Sequence, residues 1–381
     1  MRVWGLIALL GMLTIGSEAQ WHVQQSPTRA DLRGIYAVSD EVAWASGSGG
    51  TVLHTADGGA TWQRCSVPEG ASSLDFRGVQ GFDATTAVVM SSGAGELSRV
   101  YRTTDGCKSW SMVFQNPDPD GAWDSMQFQF RPGKPPQKGY FAYGVLIGHP
   151  VAGEFVIFTS KDYGKTWKAL REDEAFTPGP PAWARPGEVP FAFSNTALTA
   201  VADEDSFAFV TGGEGGGRLL YPHGERYDFS YTAMKYTFSQ IQLPIPSSAT
   251  AGAFSVAARR TTPDRVDLMV VGGDASRPEV GSAVFVRHGG PTLKKLLQPR
   301  AVAAERPPGG LRTAVAYDAQ TDSWIAVGPN GTDVSHDDGR TWAPLQGSNA
   351  DSDKNWQALS LPFAVGPDGR IGKLSNTTIV R

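Results

Sequence analysis

Charge is scarce in this chain, and basic charge most of all. Of 381 residues 19% are charged, and the formal net charge is −4. Nucleic-acid binding needs a basic surface, so that partner class has no support. Histidine and cysteine are also few, six and two. The histidines show no ligand spacing, so neither a metal nor another cofactor is expected. No Gly-x-Ser-x-Gly elbow occurs. Gly212-Gly-Glu-Gly-Gly-Gly217 is glycine-rich, but it reads as a hairpin turn rather than a strand-to-helix phosphate cradle. Beyond the N-terminal segment no stretch is apolar for the roughly 20 residues that a bilayer span requires.

The N-terminal segment is a different matter. Arg2 precedes an apolar run, Val3 to Ile15, which is too short to span and is broken by Gly11. Ser17-Glu18-Ala19 then places small residues where a signal peptidase reads. Residues 1–19 are therefore expected to be a signal peptide, cut before Gln20 or Trp21, and the mature protein to be secreted or periplasmic. No cysteine lies near the cut, so nothing there points to a lipoprotein. In an oxidising compartment Cys65 and Cys107 invite a disulfide.

What the chain has in quantity is glycine and proline, 45 and 26, with eleven Trp and eighteen Phe. That suits many short strands, tight turns and an extensive apolar core. Four segments repeat: Thr55-Ala-Asp-Gly-Gly-Ala-Thr-Trp62, Thr103-Thr-Asp-Gly-Cys-Lys-Ser-Trp110, Ser160-Lys-Asp-Tyr-Gly-Lys-Thr-Trp167 and Ser335-His-Asp-Asp-Gly-Arg-Thr-Trp342. The pattern is Ser/Thr-x-Asp-x-Gly-x-Thr/Ser-Trp, with Cys107 in the place of one glycine. Asp57, Asp105, Asp162 and Asp337 can each accept hydrogen bonds from nearby backbone N–H groups, as in an Asx-turn. Glycine permits positive φ where the chain reverses. Trp62, Trp110, Trp167 and Trp342 begin the next strand and pack on a neighbouring sheet. These carboxylates are expected to hold turns, not to catalyse.

Each repeat sits in a larger unit. Val42 to His54, Trp324 to His336 and Phe363 to Ser375 each read as strand, Gly-rich turn, strand. One strand precedes each hairpin and one follows, giving the four antiparallel strands of a propeller blade. Weaker copies are expected at Val286 to Leu293, with Leu293 heading the outer strand, and at Thr237-Phe238. Trp356 to Val380 holds three strands and no outer one; Trp21-His-Val-Gln-Gln25 resembles the missing strand. The expectation is an all-β, seven-bladed β-propeller over residues 20–381, one domain and monomeric, closed by pairing of its terminal strands. A Pro-rich insertion at about 171–192 interrupts it, and Trp183 within it is expected to pack on the body.

These repeats are identified as Asp boxes, or bacterial neuraminidase repeats. They resemble those of sialidases, xyloglucan hydrolases, sortilin-type receptors and, most of all, the photosystem II stability/assembly factor family. The last has units that read like Trp44 to Trp62. The resemblance covers the mature chain and implies the fold; one fold hosts many functions. Sialidases carry an Arg-Ile-Pro tripeptide, which this chain lacks. Another glycoside hydrolase would need two carboxylates roughly 5 to 10 Å apart. Asp124, Glu154, Glu214 and Asp274 are candidates on the face opposite the Asp boxes, with nothing to pair them.

One further alignment concerns that face. Arg33 in Leu-Arg-Gly-Ile, Arg77 in Phe-Arg-Gly-Val and Arg312 in Leu-Arg-Thr-Ala occupy equivalent places at the start of an inner strand. Asp124 and Gln357 hold that place in other blades. The five should form an arc at the channel mouth, where exposed arginines could converge on a carboxylate or phosphate; the alternative is salt bridging between blades. Two functions stay open: a non-catalytic recognition or assembly scaffold binding a protein, carbohydrate or anionic ligand, or a secreted glycoside hydrolase. Cys65 on one outer strand and Cys107 in the next blade's outer turn are expected to pair.

Overall fold

The computed structural model describes residues 20–132, 140–172, 176–177, 181–191, 193–200, 207–226, 234–262, 265–289, 300–345 and 352–375. They form seven sheets, antiparallel except where Phe176–Thr177 runs parallel beside Met234 and Lys235. Blade 1 is Leu32–Ala37, Ala43–Gly47, Thr51–Thr55 and Gln63–Arg64, and blade 2 repeats the order from Asp75–Gly81 to Ser111–Gln115. Blade 3 begins at Trp123–Pro132, blade 4 at Leu198–Ala200, blade 5 at Ala251–Thr262 and blade 6 at Ala314–Asp318. Blade 7 takes Ala358–Ser360, Phe363–Val365 and Ile371–Leu374 from the C-terminal part. Its outer strand is Trp21–Val23, paired Trp21 to Leu374 and Val23 to Gly372. A single blade cannot bury both faces of its sheet. Seven buried clusters accordingly lie one between each pair of neighbours round the ring.

The repeated tryptophans wedge these interfaces. Trp62 stands edge-on to Phe363 of blade 7 at 5.7 Å, and Trp167 packs with Val88 and Met90 of blade 2. The described outer strand of blade 5 is Arg300–Ala303. Residues 286–289 end a long third strand, Arg277–Gly289, and Leu293 itself lies outside the described residues. In blade 4 the outer strand is Met234–Gln242, which includes Thr237 and Phe238.

Cys65 and Cys107 are joined in a disulfide between blades 1 and 2. Their sequence separation of 42 constrains the unfolded chain by about 4 kcal/mol in the loop-entropy account. Cys107 adopts φ +62°, where the equivalent Gly59 has +84°. The crosslink holds a residue in a backbone region that disfavours a side chain.

The Pro-rich insertion is anchored through a different residue than Trp183, which is 57% exposed. Its backbone bridges Glu154, and the neighbouring Ala182 fills the core between blades 3 and 4. The firm anchor is Glu188, fully buried and ion-paired with buried Arg218. Thr211 also donates to it, at 2.6 Å. Glu188–Val189 then pairs with Gly212–Gly213 of the Gly-rich turn.

Candidate functional site: the sealed mouth of the channel

The two faces of the ring are distinguished by which turns they carry. Gly58 N–H donates to Glu41 O at 2.8 Å, so the repeated Asp-turn shares a face with the turn between the first two strands. On the opposite face Ser48 N–H donates to Asp31 O, where the inner strand begins. The Asp-turns are alike. Asp57 accepts from the Thr61 N–H at 2.9 Å, the Thr61 hydroxyl at 2.6 Å and the Thr55 hydroxyl at 2.8 Å. Those bonds, led by the Thr61 hydroxyl, hold the Asp57 carboxyl at about 2. Ser109 and Thr103 do the same for Asp105, also at about 2. Asp162 and Asp337 repeat the arrangement with Thr166 and Thr341. All four carboxylates are fully committed to their turns.

At the other face the pairing register shifts between Leu32 and Gly34, between Phe76 and Gly78, and between Trp123 and Ser125. Arg33, Arg77 and Asp124 are the residues at those irregularities. A bulge re-aims its side chain, here toward the channel rim. Arg33 Nε and Arg77 Nε meet the two oxygens of one carboxylate, Asp75, at 3.1 and 2.9 Å. Both side chains stay about a quarter exposed, at 25% and 28%. Asp124, on the adjoining blade, is buried with half-exposed His149 Nε2 3.4 Å from its Oδ1. Its Oδ2 has no hydrogen-bond partner. Burial pushes the Asp124 carboxyl well above the usual carboxylate range, against the pull of Arg77. Burial, then the charge of Arg77, lowers His149.

Arg312 does not join them. It is 2% exposed and turns back to its own blade, where its Nε lies 2.9 Å from Asp333 Oδ2. The reason is a substitution on the third strand: Asp333 stands where blade 1 has the core residue Leu53, and a buried carboxylate demands a counter-charge. Gln357 is diverted too, since its Nε2 donates to Phe193 O. The arc therefore reduces to Arg33 and Arg77 with Asp75, Asp124 and His149.

Phe193 belongs to a feature that the repeats do not announce. Leading into blade 4, residues 193–196 cross the channel. Seven inner strands offer their free backbone edges there, and buried edge groups require partners. Asn195 Oδ1 accepts from Met126 N at 2.8 Å and its Nδ2 donates to Met126 O at 2.6 Å, in blade 3. Ser194 Oγ donates to Thr313 O of blade 6 at 2.7 Å, and Val256 N of blade 5 donates to Thr196 O at 2.8 Å. Ser194 and Asn195 are buried. These four residues plug the channel and make its mouth a floor.

Two of the other candidate acids are separately engaged. Glu154 is paired with Arg171. Asp274 accepts from Ser276, Thr250 and Arg277, and the Ser276 and Thr250 hydroxyls hold it well below the usual range. Glu214 is exposed in the Gly-rich turn. None of Asp124, Glu154, Glu214 and Asp274 is hydrogen-bonded to another of the set. Among the described residues no group of three or more His, Cys, Asp or Glu could hold a metal ion, and no helix is long and apolar enough to cross a membrane.

This architecture has solved counterparts. "YCF48 bound to D1 peptide" superposes with a TM-score of 0.57, at 17% identity, over 95% of this chain and 97% of that one. In fold the chain resembles YCF48. YCF48 from Cyanidioschyzon merolae gives 0.55 at 17% identity over 93% and 98%. The WD40 propeller domain of Doa1 gives 0.55 at 10% identity over 94% and 97%. No protein-family model matches the sequence, and no curated protein matches it. At these identities the likeness to YCF48 and to Doa1 concerns the fold.

Proposed function

We propose that the mature chain is an exported, non-catalytic propeller of the Asp-box kind. It recognises or assembles with another protein through the sealed channel mouth, seating a carboxylate of that partner on Arg33 and Arg77. The observation that carries this reading is the rim itself: two guanidiniums, each about a quarter exposed, converge on Asp75 beside a plugged channel, with Asp31 3.7 Å from Arg33. Asp124 next to them is held toward its neutral form. The peptide held by YCF48 in one of the matching structures supports a protein partner, and the segment 1–19 supports export. Hydrolysis of a glycan would need two facing carboxylates; Glu154 and Asp274 are tied to other partners, and none of the four candidate acids is hydrogen-bonded to another.

Arg77→Ala separates recognition from ring stability. Asp75 keeps Arg33 in that variant, so the stability loss should stay within about 1 kcal/mol, as for a partly exposed pair. Affinity for a fluorescein-labelled, Glu-rich peptide should fall about ten-fold. Chemical denaturation and fluorescence anisotropy check the two halves. A large stability loss with unchanged peptide affinity would leave these arginines as staples between blades.

A further inference from the structure

The plug closes one end of the channel only. Between Asn195 and Thr196 and the Asp-turn face lies a cavity of about 400 Å³, within the range of small-ligand pockets, which begins near ~300 Å³. Its walls are the inner strands of blades 1, 3, 4, 5, 6 and 7. We infer that this blind well binds a small, uncharged, polyhydroxylated ligand about the size of one sugar ring.

The chemistry of the wall carries the assignment. Inner strands turn their backbone edges, not their side chains, toward the axis. Val256 N–H reaches Thr196 O, Val315 N–H reaches Ser255 Oγ at 3.1 Å, and Ala37 N–H reaches Ser360 Oγ at 3.0 Å. Strand alternation points the backbone groups of Ala258, Tyr317 and Ile35, two residues away, in the same direction. All three line the well. Such edges present donors and acceptors side by side, and a hydroxyl both donates and accepts. Partly exposed Ala258, Ala316 and Leu361 supply the remaining apolar surface, which suits the C–H face of a ring.

Charge is not provided for. Among the described residues lining the well there is no Lys, Arg or His, and Asp318 is the one acid. Its oxygens already accept from Gln320 N–H at 3.0 Å and the Thr321 hydroxyl at 2.8 Å. The Arg259 guanidinium, stacked on Tyr317, is held by Asp267 and Asp338. An anion would find no counter-charge, and a cation would find only a carboxylate in use.

The test is a titration of the mature protein with D-glucose and N-acetyl-D-glucosamine, followed by amide chemical shifts. The expected result is saturable movement at Ile35, Ala258 and Tyr317 with none at Arg33 and Arg77, so the outcome is independent of peptide binding at the other face. Glucose 6-phosphate should bind at least about ten-fold more weakly than glucose, and Ala258→Phe should abolish the shifts. Absence of movement in the well with both sugars, or equal affinity for the phosphate, overturns the inference. The parent titration decides it even if Ala258→Phe does not fold.

Discussion

Arg312→Ala should destabilise the protein by about 3 to 5 kcal/mol, the usual cost of leaving a buried charge without its partner. The basis is the isolation of the pair. Arg312 and Asp333 are 3% and 2% exposed at their side chains. Besides Arg312, Asp333 Oδ2 receives the Gly309 N–H at 3.0 Å, which cannot neutralise it. Replacing both residues tells more than replacing one. Arg312→Met with Asp333→Leu restores the apolar pair that blade 1 approximates with Leu53, and replacing a buried ion pair in this way is often neutral or better. The double variant should therefore recover most of the lost stability in urea denaturation. A single variant as stable as the parent would mean that Asp333 finds another counter-charge, and the correction of the arginine arc would lose its physical basis.

Closure of the ring should show an effect of similar size. Trp21 is 3% exposed, lies 5.0 Å from the Trp356 ring and donates from Nε1 to Thr332 Oγ1 at 2.8 Å. Gln24 accepts from the Trp62 indole at 2.9 Å, tying the closing segment to blade 1 as well. Trp21→Ala should cost about 3 to 5 kcal/mol, as for other buried Trp or Phe truncations. Deleting residues 20–26 should cost more, since it strips the outer strand from blade 7 and exposes the edge at Ile371–Leu374. Denaturation of both variants checks this. A deletion variant that unfolds like the parent would show that blade 7 stands without the N-terminal strand.

The ring was legible in the sequence because its chemistry is local. Ser/Thr-x-Asp-x-Gly-x-Thr/Ser-Trp fixes a hairpin turn within eight residues, and a turn repeated at blade spacing implies the sheets between. The closing strand was legible for the same reason, since Trp21 to Gln25 repeats an outer-strand pattern. Where blades lose the motif, boundaries drift, and in blade 5 residues 286–289, which read as part of the turn, are strand instead. The site was only partly legible. Position in a repeat locates a Cα at the channel mouth, but the partner decides where the side chain goes. Arg33 and Arg77 stay at the rim because Asp75 is there; Arg312 leaves because Asp333 replaces an apolar residue. That replacement was visible in the third strand and is the signal that could have corrected the reading. The plug at 193–196 carries no repeat, and its contacts reach residues as far apart in sequence as Met126 and Gln357. His149 carries no repeat signal as a rim residue; the pairing of its strand with the inner strand of blade 3 brings it to Asp124.

The central claim is that the plugged mouth, not the Asp-turn face, is the recognition surface. Hydrogen exchange of the mature protein with and without the Glu-rich peptide addresses it directly. The account predicts added protection at residues 31–34, 75–78, 122–125 and 147–150, with the Asp-turns at 57–61, 105–109 and 337–341 unchanged. Protection confined to the Asp-turns, or none at the mouth under conditions where the peptide is bound, would contradict it.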